Sequence, residues 1–184
     1  MPSQGWWETL ISSQVDGAAL TAAATASMLP AAAEYTLPAN FFKNIGQQLL
    51  IKAAGRISCV ITTPGTARYQ VFFGATSVFD STAMNLNVVA KTTVNWYLEL
   101  LLTCRAIGTS ANLMCQGLWT SEAGIASPLP TVGGSATFTL PYNTVPAVGS
   151  NFDSTAAQKV DVHFTQTVAT GSMTCHQYQI ISCG

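Results

Sequence analysis

The chain has 184 residues, of which 48% are hydrophobic and only 8% charged, and its formal net charge is -1 at pH 7. This length suits one domain with a full core, and the few cations exclude the basic surface that nucleic-acid binding requires. Soluble monomers usually avoid both a neutral surface and large apolar patches. We therefore expect an obligate assembly with no nucleic-acid partner.

The first 40 residues predict an N-terminal arm. The opening MPSQGWWETLISS lacks the basic and apolar parts of a signal peptide, so we expect synthesis in the cytoplasm. Trp6 and Trp7 lie on a terminal segment that cannot form a core alone, and we predict that they anchor the arm to a neighbouring subunit. A short helix and an extended arm are both open for this region. Residues 17–41 contain two prolines and favour an extended arm or an edge strand.

The rest of the chain, residues 41–184, predicts a single domain of short strands. QQLLIKAAGRISCVITT alternates apolar and polar residues and stops at the turn TPGT. ARYQVFF follows, with a glycine after it that indicates a turn or a bulge. No apolar run approaches the roughly 20 residues of a membrane-spanning helix, so we expect no membrane partner.

The most apolar segment, TTVNWYLELLLTCRAIG, decides the fold class. Its apolar residues recur at every second position, and the other positions carry both charges, which predicts a strand and not a buried helix. The residues predicted to face the core are Val94, Trp96, Leu98, Leu100, Leu102 and Cys104. Tyr97, Glu99 and Leu101 are predicted to face outward. The turn AIGTSA and the segment NLMCQGLWT complete a predicted β-hairpin.

The last two alternating segments, QKVDVHFTQTVAT and GSMTCHQYQIISC, predict a C-terminal hairpin that carries both histidines, His163 and His176. The whole pattern gives roughly eight to ten strands separated by turns, with almost no helix. We therefore predict an all-β, antiparallel β-sandwich. A jelly roll fits this number of strands well.

Catalytic and cofactor motifs are missing from the sequence, including the nucleophile elbow, the Walker motif and the dinucleotide fingerprint. Asp80 and Asp153 occur in the similar segments VFDST and NFDST, which predict turns more strongly than a glycosidase pair. A metal site at Cys175, His176 and His163 is disfavoured, because adjacent strand residues point to opposite faces. We expect no enzyme activity, no cofactor and no metal, and five buried, unpaired cysteines.

Aromatic side chains are the remaining candidates for binding. Tyr97, Leu101 and Tyr178 are the predicted subunit-interface residues, because aromatic residues are enriched at interfaces and Tyr97 and Leu101 lie on an outward face. Exposed tyrosines and tryptophans also suit a surface that stacks on sugar rings. Glycan recognition therefore stays as the alternative to a purely structural role.

Several segments together resemble a family of structural proteins of tailed-phage virions. They are IKAAGRISCVITTPGT, NVVAKTTVNWYLELLLTCRAIG, QGLWTSEA, NFDSTAAQKVDVHF and SMTCHQYQIIS. The resemblance implies a trimeric jelly roll similar to tumour necrosis factor, located in the virion. Some proteins of this type are capsid decoration (cement) proteins, and we expect that role here, with the chain's own copies and the major capsid protein or other virion proteins as partners. A head-fibre or tail module that recognises a cell-surface glycan is the alternative it leaves open.

Overall fold

A computed structural model describes residues 6–60, 62–125, 135–149 and 151–183. These residues form two antiparallel sheets and a short 3-10 turn at Ala31–Ala33. No helix in the described ranges is long and apolar enough to cross a membrane. The two sheets confirm the predicted all-β sandwich.

Within the described ranges, sheet A has six strands: β1 Trp7–Ser12, β4 Gln48–Cys59, β8 Lys91–Ala106, β9 Asn112–Ser121, β10 Ala136–Leu140 and β12 Ser172–Cys183. Their order across the sheet is β1-β12-β4-β8-β9-β10. The longest strand, β8, is the segment that predicts the fold class, and its ladder with β9 confirms the predicted hairpin.

Sheet B contains β2 Thr25–Ser27, β3 Tyr35–Leu37, β5 Thr66–Phe73, β6 Thr76–Asp80, β7 Met84–Asn85 and β11 Gln158–Gln166. Its main order is β2-β11-β5-β6, and in addition β3 pairs with β11 and β7 pairs with β5. Gly74 lies in the turn between β5 and β6 at a positive φ of 58°, which glycine adopts without steric cost.

One apolar core fills the space between the sheets. Trp96, Leu98, Leu100 and Leu102 of β8 are at most 2% exposed, as the alternation predicts. At the centre of the core Tyr69 of sheet B lies 5.8 Å, centroid to centroid, from Trp96 of sheet A. The aromatic rings thus join the two sheets.

The predicted C-terminal hairpin is wrong. β11 pairs with β5, β2 and β3 in sheet B, whereas β12 pairs with β1 and β4 in sheet A. The short connection after β11 crosses from one sheet to the other. There the side-chain Nε2 of Gln166 donates to the carbonyl oxygens of Leu20 at 3.2 Å and Ala22 at 3.1 Å. These bonds tie the crossing to the N-terminal segment.

The described part of the N-terminal region is extended and paired with both sheets. β1 forms an edge of sheet A, while β2 and β3 lie beside β11 in sheet B. Met28, Ala33 and Leu37 are at most 1% exposed and belong to the same core as residues beyond position 40. Of the two open alternatives, the extended form is the one observed.

The strands pair in nested order, from β1 with β12 on the outside to the hairpin of β5 with β6 on the inside. β1 pairs with β12, β2 and β3 pair with β11, β4 pairs with β8, and β5 pairs with β6. Two further ladders, β12 with β4 and β11 with β5, join these pairs within each sheet. The chain therefore passes repeatedly between the two layers.

Candidate functional site

The outer face of sheet A is formed by the side chains that alternate with its core residues. Rows of directly paired residues cross this face from β1 to β9. One row runs through Thr9, Ile181, Leu50, Leu101 and Gln116. A neighbouring row begins with Trp7, which pairs with Cys183. The outer face has two parts of different chemistry, separated by the row that contains Lys52 and Glu99.

The first part, which we name the apolar half, consists of Leu50, Leu101 and Ile181. Leu50 and Ile181 are 6% and 8% exposed, although neither belongs to the core between the sheets. They cover each other as cross-strand neighbours. Leu101 is 39% exposed. The apolar half is thus a row of three hydrophobic side chains outside the core, of which Leu101 is the exposed member.

An ion pair borders the apolar half. Lys52 Nζ lies 3.4 Å from Glu99 Oε2, and the same carboxylate oxygen accepts a hydrogen bond from Tyr97 Oη at 2.7 Å. Burial, followed by the hydrogen bond to Glu99 and the charge of Glu99, raises the pKa of Tyr97 to about 12. The Tyr97 hydroxyl therefore remains a donor at neutral pH, and its bond to Glu99 restrains the ring.

The second part, the polar half, lies beyond this ion pair. It contains a cleft of about 460 Å³, within the range of roughly 300–1,000 Å³ typical of small-molecule sites. Ala54 contributes only a methyl group to this cleft, and Gly55 contributes backbone alone. Its other lining residues are Asn95, Trp96, Tyr97, Thr120, Ser135, His176 and Gln177.

A β-bulge in β12 places His176 at this cleft. Cys175 pairs with Gly55 and Gln177 pairs with Ala54, so His176 is the additional residue of the bulge. His176 Nδ1 lies 2.8 Å from Asp16 Oδ1. This contact fixes the orientation of the imidazole, because one ring nitrogen is held by the carboxylate.

The predicted interface residues have different surroundings. Trp6 and Trp7 are 63% and 68% exposed, and Tyr97 and Leu101 lie on the outer face. Tyr178 is 3% exposed and packs in the core, so it is not a surface residue of the chain. Its hydroxyl has no hydrogen-bond partner among the described residues. Strict alternation from Cys175 would place Tyr178 outside, and the bulge at His176 reverses that alternation.

Asp80 and Asp153 take part in turns, as predicted. Asp153 Oδ1 accepts hydrogen bonds from the backbone nitrogen of Thr155 at 2.9 Å and from its hydroxyl at 2.6 Å. Asp80 Oδ1 accepts one from the backbone nitrogen of Thr82 at 2.9 Å, and its carboxylate pairs with Arg68. Asp80 lines a cleft of about 470 Å³ at β6, and Asp153 does not. The two carboxylates therefore do not form a pair in that cleft.

Cysteines and histidines are dispersed over the described residues. All five cysteines are unpaired, and four are buried. Burial raises the pKa of the Cys175 thiol to about 12 and also raises that of Cys115. His163 lies on sheet B, with Nε2 3.1 Å from Asp161 Oδ2, far in the topology from His176. Within the described ranges no three metal-ligating side chains come together.

Sequence reasoning missed two features of this face. Leu50 has the same strand parity as Lys52 and Arg56, so its outward position could be read from the sequence, but its pairing with Ile181 and Leu101 could not. The contact between Asp16 and His176 joins residues far apart in sequence. It depends on a bulge for which the local sequence gives no signal.

No protein-family profile matches the chain, and no curated protein sequence is significantly similar to it. Among solved structures, the chain is similar to the CBM2 module of the evolved Dit protein of Lactobacillus casei BL23 phage J-1. The identity is 8%, the TM-score is 0.30, and the match covers 80% of this chain and 67% of that one. A likeness at this level assigns neither a family nor a function.

Proposed function

We propose that this protein is a self-associating structural subunit of a tailed-phage virion, and that the apolar half of sheet A carries the contact between its copies. The supporting observation is the row in which the exposed Leu101 continues the apolar surface of Leu50 and Ile181. Leu101 is the member of this row that stays in contact with water, which is unfavourable, and a second copy would remove that contact. The ion pair of Lys52 with Glu99 adds no net charge to this face.

The nested strand pairs support a jelly roll of the tumour necrosis factor type. In a jelly roll the chain folds as one long hairpin that wraps into two sheets, so early strands pair with late ones. The pairs β1 with β12, β4 with β8 and β5 with β6 follow that rule. β9 and β10 then extend sheet A beyond the strands that form the nested pairs. A trimer is the assembly that the sequence resemblance implies for such a fold.

The proposed role within the particle is capsid decoration. The sequence segments that resemble virion structural proteins support a virion location, and the very low charge content supports a subunit covered by neighbours. The trimer would stabilise the assembled shell by binding only the assembled form, which is a mass-action effect. Three linked copies would bind more tightly than one, because their contacts act together. We propose no enzymatic activity and no cofactor for this role.

Trp6 and Trp7 are the proposed anchors to the capsid protein. Both are mostly exposed at the edge of sheet A, and large aromatic side chains are common anchors of interfaces. Deletion of residues 1–16 would test them poorly, because it removes β1 from its ladder with β12. Substitution of both tryptophans by serine leaves the backbone pairing of β1 in place.

The decoration role is tested by adding purified protein to shells that lack it. The Trp6→Ser/Trp7→Ser variant should keep the wild-type mass in solution and lose shell occupancy. Val145→Ser is the matched control, since Val145 is 82% exposed and lines the cleft beside β6, a strand of sheet B. Equal occupancy of the double variant and the wild type would contradict the anchor role. Immunogold labelling of virions then distinguishes the head from the tail.

A glycan-binding module of a head fibre or tail is the second candidate function. The observation that favours it is the cleft of the polar half, where Tyr97 is 36% exposed beside the side-chain amides of Asn95 and Gln177. Aromatic rings and amides are groups that bind sugar rings and their hydroxyls. This candidate uses a different part of sheet A from the self-association contact.

A further inference from the structure

The polar half contains two adjoining clefts. The first, of about 460 Å³, and the second, of about 360 Å³, share Ala54, Tyr97 and Gln177. The second extends past Lys52 to Ser12 and Ser13 at the end of β1. Together they form a groove, which we name the Tyr97 groove. It crosses β12, β4 and β8 on the outer face of sheet A.

The backbone beneath the Tyr97 groove is specialised. A Cβ atom on Gly55 would lie 2.0 Å from the carbonyl oxygen of Thr174 and 3.0 Å from Cα of Cys175. Only glycine permits β4 and β12 to approach so closely at the bulge. The bulge in turn directs His176 to the groove, and bulges of this kind commonly re-aim a side chain at a functional site.

Contacts outside the groove hold two of its side chains. The phenol of Tyr97 donates to Glu99 at 2.7 Å, and Glu99 lies 3.4 Å from Lys52. On the opposite side Asp16 holds His176 Nδ1 at 2.8 Å, which leaves Nε2 as the second polar atom of the ring. The groove therefore has an aromatic side chain and an imidazole, each restrained by a carboxylate.

The chemistry of the lining favours a neutral, hydroxyl-rich ligand. The described residues that line the first cleft include no Asp, Glu, Lys or Arg. Lys52 lines the second cleft, but Glu99 pairs with it. The polar groups that remain are amides, hydroxyls and an imidazole, which both donate and accept hydrogen bonds. An anionic ligand would find no unpaired cation among these lining residues.

We infer that the Tyr97 groove binds an uncharged saccharide. The ring of Tyr97 stacks on a sugar ring, and Asn95, His176 and Gln177 bind its hydroxyl groups. Asp16 is a positioning residue that acts through His176. This inference rests on the second candidate function and adds to it the location of the site and the class of the ligand.

Isothermal titration calorimetry with lactose, cellobiose and chitobiose tests the inference, with sialyllactose as the charged comparison. We expect the wild-type protein to bind at least one neutral sugar and to prefer it over sialyllactose. Tyr97→Ala should weaken binding about tenfold or more, the effect of losing a central aromatic contact. Tyr97→Phe keeps the ring and should retain most of the affinity, which separates the loss of the ring from the loss of the phenol hydroxyl.

Phe72→Ala is the matched control, because Phe72 is an aromatic residue of sheet B that contacts His163. It should leave sugar binding unchanged. Binding that survives Tyr97→Ala would overturn the site but leave glycan recognition standing. A preference for sialyllactose would overturn the neutral ligand class. No binding of any of the sugars by the wild-type protein would overturn both the inference and the second candidate function.

Discussion

Leu50 and Leu101 lie directly opposite each other on β4 and β8, on the outer face of sheet A. Leu50 is 6% exposed and Leu101 is 39% exposed, because Leu50 lies between Ile181 and Leu101 while Leu101 has Gln116 on its far side. Two leucines and an isoleucine in one row form a hydrophobic surface outside the core. We propose that a second copy of the chain covers this surface.

Tyr97 and Tyr178 should differ greatly in their contribution to stability. Tyr178→Ala removes a core ring that is 3% exposed and should lower the free energy of unfolding by about 3–5 kcal/mol. Tyr97→Ala changes a surface residue and should cost about 1 kcal/mol or less. Urea unfolding of the two variants measures the difference. Equal losses would contradict the assignment of Tyr178 to the core and Tyr97 to the outer face.

High pH should destabilise the fold through Tyr97. Its pKa is about 12 in the folded chain against an ordinary value of 10.0, so the unfolded chain loses this proton first. The stability contributed by the neutral phenol is therefore complete below pH 10.0 and is lost as the pH rises to about 12. The difference in tyrosinate absorbance between the wild type and Tyr97→Phe follows this titration. Glu99→Gln should shift the titration midpoint of Tyr97 to lower pH. An unchanged midpoint would contradict the role of Glu99 in raising the pKa of Tyr97.

Acid should weaken the contribution of Asp80 to the stability of the fold. Burial pushes the pKa of this carboxyl upward, but the hydrogen bonds from Arg68 and the backbone of Thr82 and the charge of Arg68 bring it below the ordinary value of 3.8. Its stabilising effect is thus present above pH 3.8 and is lost as the pH falls through the lower folded value.

Asp80→Asn should cost below about 1 kcal/mol at neutral pH, since the pair with Arg68 is partly exposed. Thermal unfolding of the variant and the wild type should converge as the pH falls below 3.8. A difference in thermal stability that grows as the pH falls would show that folding raises the pKa of Asp80 and does not lower it.

Alternation along single strands could be predicted because it depends on local sequence alone. β8 and β9 show this clearly, since Trp96, Leu100 and Trp119 are buried where a period of two requires it. The partner of each strand is not encoded locally. β11 and β12 look like a hairpin in sequence, but β11 belongs to sheet B and β12 to sheet A. Their apolar faces therefore contact the core from opposite sides.

The candidate site depends on one bulge. Met173 and Cys175 face the core at odd positions, whereas Tyr178 and Ile180 face it at even positions, because His176 is the additional residue between them. A strict period of two fails across such a residue. The bulge that moves Tyr178 into the core also places His176 beside Asp16. The polar half therefore could not be predicted from the sequence.

The native mass of the purified protein decides whether the chain associates with its own copies through the apolar half. Light scattering should give three chain masses for the wild type and one for Leu101→Asp, with unchanged circular dichroism, because a buried unpaired charge opposes association. Val145→Asp, which places the same charge on another exposed apolar position, should remain a trimer. A monomeric wild type, or a Leu101→Asp variant that still forms the trimer, would contradict self-association through the apolar half.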